Sequence, residues 1–96
     1  MKRYEVQASK FAEKQIRRLP HHIREALNYW IDTIEFYGIE KIRETAGYRD
    51  EQLKGIRTGQ RSSRLNRSYR VIYEDYENGE IFVISILEVN KHDYSR

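Results

Sequence analysis

The sequence contains no cysteine and only one proline among its 96 residues. Without cysteine there is neither a disulfide framework nor a thiolate metal site. His21-His22 have no further ligand near them in the sequence, so we predict no bound metal. No apolar stretch approaches the ~20 residues that a bilayer-spanning helix needs. Residues 1–6 carry charges without an apolar run behind them, which argues against a signal peptide. These absences predict a cytoplasmic protein without a membrane partner.

The composition is that of a small globular domain with a heavily charged surface. Hydrophobic residues make up 39% of the chain and charged residues 34%. A chain of this length buries only about 60–65% of the surface that its unfolded form exposes, so its core must be compact. We predict a single domain over residues 1–96.

Positive charge is concentrated in one segment. Between Arg49 and Tyr73 the chain has seven lysines and arginines against only Asp50 and Glu51, which gives a local charge of +5. Because the whole chain carries +3, the remainder carries −2. A basic segment on a nearly neutral body is typical of proteins that bind polyanions. The same pattern also describes an ordinary solvated surface.

The first half of the sequence predicts a strand followed by two helices. A short strand covers residues 3–7, and Ser9 is placed to cap a helix that ends before Pro20. The next helix has the clearest periodicity in the chain. Its apolar residues follow the spacing of a buried stripe: Ile23, Ala26, Leu27, Trp30, Ile31 and Ile34. The pattern extends beyond Gly38 to Ile42, with a kink expected at the glycine.

The second half predicts strands. Repeated glycines from Gly47 onward disfavour a helix, so we interpret 52–66 as a strand or an irregular arm of a β-hairpin. Residues 68–76 alternate like a half-buried strand. Asn78-Gly79 favours a type I′ turn, and 81–89 is nearly all apolar, as expected of a buried central strand.

The predicted order is β-α-α-β-β-β, an α+β domain with an N-terminal strand, a helical hairpin and then an antiparallel β-meander. We expect the helices to cover one face of the sheet and the arginines to lie on the uncovered face. Since neighbouring residues of a strand face opposite ways, only some of these arginines can share a face.

Four blocks of the sequence, in this order, resemble the RelE/HigB/YoeB branch of the RelE–ParE toxin superfamily. They are residues 50–55 (DEQLKG), 60–65 (QRSSRL), 68–74 (SYRVIYE) and 87–94 (LEVNKHDY). The resemblance covers essentially the whole chain. It implies a RelE-like fold and an mRNA endonuclease that is often ribosome-dependent and has a cognate antitoxin. At one position the sequence departs from the pattern, because Arg49 follows Tyr48 where some HigB-like relatives have histidine.

Metal-independent RNA cleavage uses the 2′-hydroxyl of the substrate as nucleophile and needs a base, an acid and cations around the phosphate. Arg70 matches the arginine of the family's strand motif and is predicted to clamp the scissile phosphate. His92 is of the residue type that suits proton transfer near neutral pH, and Tyr94 is suited to base stacking or proton transfer. Glu51 matches a candidate base of YoeB-like relatives. The general base stays open between Glu51, His92 and a tyrosine–lysine combination. We predict no cofactor.

Other polar residues are predicted to bind the phosphates that flank the cleavage site. The predicted RNA-binding set is Lys54, Arg57, Arg61, Arg64, Asn66, Arg67 and Lys91. Asn66 matches a polar position near the active site of HigB-like relatives, but asparagine is also a common turn residue.

The leading hypothesis is the toxin of a type II toxin–antitoxin module, an endoribonuclease that cleaves mRNA in the ribosomal A site, beside 16S rRNA. Two alternatives stay open. A ParE-like toxin would inhibit DNA gyrase without nuclease activity, and a non-enzymatic module would bind RNA or the ribosome through the basic segment alone. The predicted partners are a cognate antitoxin, mRNA and the ribosome. Tyr29, Phe36 and Tyr37 lie partly off the buried stripe and are candidates for the antitoxin contact.

Overall fold

The chain folds into a five-stranded sheet with three helices, and the computed structural model describes residues 3–91. The elements, in chain order, are β1 (Arg3–Ala8), α1 (Lys10–Arg17), α2 (His21–Tyr37), α3 (Ile39–Glu44), β2 (Glu51–Gln52), β3 (Arg61–Arg64), β4 (Tyr69–Asn78) and β5 (Ile81–Lys91). Two single turns of 3-10 helix, Ala46–Tyr48 and Gly55–Arg57, lie on either side of β2.

The strands lie in the order β1-β5-β4-β3-β2. The helices carry the chain from β1 to the opposite edge, and the antiparallel strands β2 to β5 return one by one until β5 lies beside β1. β1 and β5 are therefore parallel, with Arg3 opposite Ile81 and Ala8 opposite Ile86. The predicted fold, an N-terminal strand and helical hairpin followed by an antiparallel meander, is confirmed.

Local sequence explains where the first two helices begin. Ser9 caps α1, because its Oγ accepts a hydrogen bond from the backbone N–H of Ala12 at 3.0 Å. Pro20 has no N–H with which to continue α1. Its carbonyl oxygen accepts the first hydrogen bonds of α2, from Ile23 and Arg24, both at 3.0 Å. None of the helices described between residues 3 and 91 is long and apolar enough to span a bilayer.

The hydrophobic core lies between the helices and one face of the sheet. Trp30 on α2 is completely buried, and its ring meets the ring of Tyr73 on β4 edge-on, with 5.4 Å between centroids. Burying a large apolar side chain of this kind stabilises a fold by about 1.5–3 kcal/mol. The core also contains Ala12, Leu19, Ile23, Leu27, Ile34, Ile39, Ile42, Val71, Ile84, Ile86 and Val89.

One detail of the meander differs from the sequence prediction, and one open alternative is decided. Asn78 pairs with Ile81, so the hairpin loop consists of Gly79 and Glu80. Positive φ occurs at Gly79 (67°) and not at Glu80, which is the φ pattern of a type II′ turn and not of the predicted type I′ turn. The segment 52–66 is the irregular hairpin arm, since β2 and β3 pair over only two residues.

β1 forms one edge of the sheet, next to α2. The backbone N–H of Val6 donates a hydrogen bond to Oε2 of Glu35 at 3.4 Å. An edge strand otherwise presents its outward N–H and C=O groups to solvent. The Glu35 side chain of α2 therefore accepts a hydrogen bond from one of the outward N–H groups of this edge.

Gly38 ends α2 and begins α3, as the predicted kink requires. Its φ is 95°, a conformation that glycine adopts at little cost. A Cβ atom added at this position would lie only 2.8 Å from Cζ of the Tyr4 ring. Both the positive φ and the close contact with β1 therefore favour glycine at position 38.

We expect Gly38→Ala to lower the free energy of unfolding by about 1–3 kcal/mol, because alanine must take a strained φ and press against Tyr4. The measurement is urea denaturation followed by circular dichroism. Gly47→Ala is the matched control, since a Cβ at Gly47 has no neighbour within 4 Å among the described residues. Equal effects of the two substitutions would contradict this account of Gly38.

Candidate nucleic-acid interface

The sheet has one face covered by the helices and one face turned away from them, which we call the outer face. Val71 and Tyr73 on β4 belong to the core beneath the helices. Because side chains alternate along a strand, Arg70 and Ile72 lie on the outer face. Arg70 is thus on the face where the sequence predicted the arginines.

Strand register places a second arginine beside Arg70. Directly opposite residues of antiparallel strands share a face of the sheet. Arg64 on β3 lies opposite Arg70, and Arg70 lies opposite Asn90 on β5. These three residues form one row across the outer face.

Glu51 lies in the next row of the same face. It is opposite Ser62 on β3, and Ser62 is opposite Ile72 on β4. Since Ile72 belongs to the outer face, Ser62 and Glu51 do as well. The side chain of Glu51 is exposed. The candidate base and the candidate phosphate clamp Arg70 are thus on one surface.

Arg70 has an unused hydrogen-bond donor inside the protein surface. Its Nε is buried and has no hydrogen-bond partner within residues 3–91, and the same is true of Oδ1 of Asn90 in the same row. A buried polar atom without a partner costs free energy comparable to a lost hydrogen bond, about 1–3 kcal/mol. Such an atom is informative because nearly all buried polar groups in proteins are paired.

Glu88 and Asn90 are outer-face residues that sequence reasoning missed. Glu88 lies opposite Ile72, in the row beside Arg70. Oε2 of Glu88 pairs with Nη2 of Arg57 at 2.5 Å, and its Oε1 accepts a hydrogen bond from Nδ2 of Asn90 at 2.8 Å. Arg57, predicted to bind RNA, is thus held at the outer face with its charge offset by a carboxylate.

A β-bulge explains why these two residues were missed. Ile72 pairs with Glu88 and Tyr73 pairs with Ile86, so Leu87 is an extra residue in β5. Strict alternation from Ile84 and Ile86 would have placed Glu88 among the core residues. The bulge shifts the alternation by one position, which sends Val89 to the core and Glu88 to the outer face. No signal in the sequence marks its position.

Arg61 lies on the opposite face from Arg70. It is opposite Tyr73 in the sheet, and its Nε donates to Oδ1 of Asp50 at 2.7 Å. The side chain of Asp50 has no exposed surface. Its Oδ2 accepts hydrogen bonds from Oγ of Ser63 at 2.5 Å and from the Tyr73 hydroxyl at 2.6 Å. The structure therefore does not bring Arg61 together with the other predicted RNA-binding arginines.

Burial raises the pKa of the Tyr73 phenol well above its usual range, and the hydrogen bond and negative charge of Asp50 raise it further. Arg43 acts in the opposite direction. The phenol is therefore a hydrogen-bond donor to Asp50 and not a candidate for proton transfer near neutral pH.

Solved structures of known proteins share this architecture. A YoeB/ParE toxin from Agrobacterium tumefaciens matches 97% of this chain and 100% of its own, with a TM-score of 0.71 and 18% sequence identity. The archaeal RelE–RelB complex from Pyrococcus horikoshii OT3 gives a TM-score of 0.71 at 24% identity, over 96% of this chain and 98% of the other. The YoeB–YefM complex from Staphylococcus aureus gives 0.69 at 23% identity, over 95% and 99%.

The chain has the fold of RelE/YoeB-like toxins. The fold implied by the sequence resemblance is therefore confirmed. No protein-family model matches the sequence, and no curated protein matches it. At identities of 18% to 24%, the likeness to these three structures shows the fold.

The other predicted site residues take varied positions in this RelE/YoeB-like fold. Lys54, Arg67 and Lys91 are exposed. Oδ1 of Asn66 accepts hydrogen bonds from the backbone N–H groups of Ser68 and Tyr69, both at 2.8 Å, so Asn66 shapes the turn between β3 and β4. The predicted catalytic residues His92 and Tyr94 lie outside the described residues. Within residues 3–91, no three histidine, aspartate or glutamate side chains lie together as metal ligands.

We expect Asp50→Asn to lower the free energy of unfolding by about 3 kcal/mol, because it leaves the partly buried Arg61 without a counter-charge. Urea denaturation measures the effect. Asp75→Asn is the matched control, since Asp75 forms a more exposed ion pair with Arg43 at 3.1 Å and its loss should cost about 1 kcal/mol or less. Similar small losses in both variants would contradict the anchoring role of Asp50.

The raised pKa of Tyr73 predicts how the stability of the protein depends on pH. The pKa of this phenol is raised in the folded state, so its stabilising contribution is complete below the unfolded tyrosine pKa of about 10 and decreases as the pH rises above it. We expect Tyr73→Phe to be less stable than the wild type at pH 7 and the gap to narrow above pH ~10. Guanidinium denaturation at several pH values tests this, and a constant gap would contradict it.

Proposed function

We propose that this protein is the toxin of a type II toxin–antitoxin module and that it cleaves mRNA as an endoribonuclease in the ribosomal A site. The observation that carries the proposal is the set of charged side chains that share the outer face of the sheet with Arg70. Arg64 lies opposite Arg70, and Glu51 lies on the same face. Two cations and an exposed carboxylate on one face are groups that phosphodiester cleavage needs.

In the proposed reaction, the 2′-oxygen of the substrate forms a bond to the adjacent phosphorus while the bond from phosphorus to the 5′-oxygen breaks. A base accepts the proton of the 2′-hydroxyl, and an acid supplies a proton to the departing 5′-oxygen. The products are a 2′,3′-cyclic phosphate and a 5′-hydroxyl. The RNA and two proton-transfer groups of the protein supply every atom of the products, so the proposed reaction requires no cofactor.

We assign Arg70 to the phosphate, where its guanidinium stabilises the negative charge that develops during the reaction. Glu51 is a candidate for the base because it is exposed and shares the outer face with Arg70. His92 and Tyr94 stay predictions for proton transfer and base stacking. Arg57 is engaged by Glu88 at 2.5 Å, so we assign it to shaping the outer face rather than to a phosphate.

We further propose a cognate antitoxin as the protein partner. Structural neighbours of this chain include the complexes of RelE with RelB and of YoeB with YefM. On this chain, Phe36 and Tyr37 near the end of α2 are 81% and 66% exposed, and their rings stack at 4.8 Å. An exposed aromatic pair of this kind is typical of protein contact surfaces.

The test is cleavage of a defined mRNA by the purified protein, with and without programmed ribosomes, with EDTA added only in the arm without ribosomes and primer extension to locate the cuts. We expect Arg70→Ala to lower the rate of the chemical step about 100- to 1000-fold, with a smaller effect on ribosome binding. Arg70→Lys should recover only part of the activity, because lysine cannot bind a phosphate bidentately. Arg17→Ala, which removes an exposed arginine from α1, is the matched control and should cleave like the wild type.

Glu51→Gln, His92→Ala and Tyr94→Phe in the same assay separate the candidates for proton transfer. The residue that acts as base should change the pH dependence of cleavage as well as its rate. Growth arrest on expression without RNA cleavage in any condition would contradict the nuclease proposal and favour a ParE-like gyrase inhibitor. Full activity of Arg70→Ala would contradict the assignment of Arg70.

A further inference from the structure

A groove lies beside the end of β3, between α2 and the segment that follows α3. Its volume is about 560 Å³. Tyr29 on α2 and Tyr48 before β2 provide two aromatic rings, Leu65 adds an apolar side chain, and Lys41 and Arg64 bring positive charge. Tyr29 is 70% exposed, and Tyr48 is half-buried. Burial raises the pKa of Tyr48, and Tyr29 adds to this effect; both tyrosines line the same groove.

A second hollow of about 430 Å³ adjoins the groove. It shares Gly47 and Arg64 with the groove and adds Arg49, Asn66 and Arg67. The two hollows share Gly47 and Arg64 in their linings, and we call them together the β3-end depression. It carries aromatic and apolar surface at one end and arginines at the other.

The charge of this depression has one sign. Lys41, Arg49, Arg64 and Arg67 line it, and no aspartate or glutamate among residues 3–91 does. Glu44, which does not line it, lies 3.8 Å from Nζ of Lys41 on the exposed surface of α3, and an exposed pair of this kind contributes little. The depression is therefore suited to a polyanion.

The wall of the depression is held in a fixed conformation. Arg49 is the one non-glycine residue among those described with a positive φ, 43°, a conformation that costs free energy unless its surroundings impose it. The next residue, Asp50, is anchored by its three hydrogen bonds to β3 and β4. Arg49 and Tyr48 are thus presented to the depression by a rigid attachment to the sheet.

Arg64 connects the depression to the outer face. It lines both hollows, and it lies opposite Arg70 in the sheet. A nucleic-acid strand with one phosphate at Arg70 can therefore place a neighbouring nucleotide in the depression without crossing an acidic residue of either lining.

We propose that the β3-end depression binds a nucleotide of single-stranded RNA next to the scissile phosphate, with its base between Tyr29 and Tyr48 and its phosphates at Arg64 and Lys41. Proteins that bind single strands combine stacking aromatic rings with a cationic track in this way. The inference rests on the proposed function in one respect, that RNA is the substrate. It adds a subsite that binds the RNA strand away from the reacting atoms. Because stacking tolerates every base, this subsite strengthens binding without setting a strict sequence preference.

RNA fits the depression better than an acidic peptide does. The rings of Tyr29 and Tyr48 favour contact with flat apolar groups. The cations at the other end favour negative charges at regular spacing. Single-stranded RNA supplies both in every nucleotide. The depression is also continuous with the outer face through Arg64, whereas the Phe36–Tyr37 pair, which we assign to the antitoxin, does not line it.

The test is binding of fluorescent oligoribonucleotides, with a single 2′-deoxy substitution at the cleavage site so that the RNA is bound and not cut. Anisotropy measures affinity for the free protein, and a filter assay measures it on programmed ribosomes. We expect Tyr29→Ala to weaken binding about 5- to 100-fold, the range for loss of one stacked base. Tyr29→Phe should bind like the wild type, because phenylalanine keeps the ring. Phe11→Ala removes an exposed aromatic ring from α1 and is the matched control that should change nothing.

A nucleotide without a base locates the subsite. Moving one abasic nucleotide along the RNA should weaken wild-type binding as much as Tyr29→Ala does, at one position beside the cleavage site. At that position it should cause no further loss in Tyr29→Ala, because the variant has already lost the stacking partner. Lys41→Ala should weaken binding and reduce its salt dependence by about 0.7 in the slope of log affinity against log salt.

The outcomes separate this inference from the proposed function. RNA that is bound equally by the wild type, Tyr29→Ala and Tyr48→Ala, with cleavage intact, would overturn the subsite alone and leave the depression to a protein partner. Additive losses from the abasic nucleotide and Tyr29→Ala would also overturn it. An absence of RNA binding by the wild type, both free and on ribosomes, would overturn the subsite and the nuclease proposal together.

Discussion

The structure depends on Tyr73, which joins the hydrophobic core to a buried charge. Its ring packs edge-on against Trp30 at 5.4 Å, and its hydroxyl donates to Asp50 at 2.6 Å. Asp50 in turn holds Arg61 and Ser63 of β3. A two-residue strand such as β2 has too few backbone hydrogen bonds to fix its own position. The network on Asp50 therefore sets where β2 begins, and with it the position of Glu51 on the other face.

The basic segment of the sequence does not form one basic surface in the fold. Arg61 neutralises Asp50 beneath the helices, and Arg57 neutralises Glu88 on the outer face. Arg64 and Arg70 lie side by side in one row of that face. Two of the seven cations of the basic segment are thus engaged by carboxylates on different faces of the sheet.

Much of the fold follows from local patterns in the sequence. The stripe from Ile23 to Ile34 predicts α2, the alternation of 68–76 predicts β4, and the order of elements gives the meander. The site is only partly predictable, since alternation identifies Arg70 but the register that places Arg64 and Glu51 beside it depends on pairing between distant strands. The bulge at Leu87 and the burial of Asp50 arise from tertiary packing, so Glu88 and Asn90 were missed and Arg61 was grouped with residues of the other face.

The contact of Glu35 with the backbone of β1 has a consequence for the behaviour of the protein at high concentration. A sheet with a free edge can recruit a strand from another molecule, and this is a common route to aggregation. Here the longer edge has a carboxylate on the N–H of Val6 and charged side chains at Arg3 and Glu5. The shorter edge, β2, offers only two residues for pairing. Helix α2 therefore both covers the core and discourages copies of the protein from joining sheet to sheet.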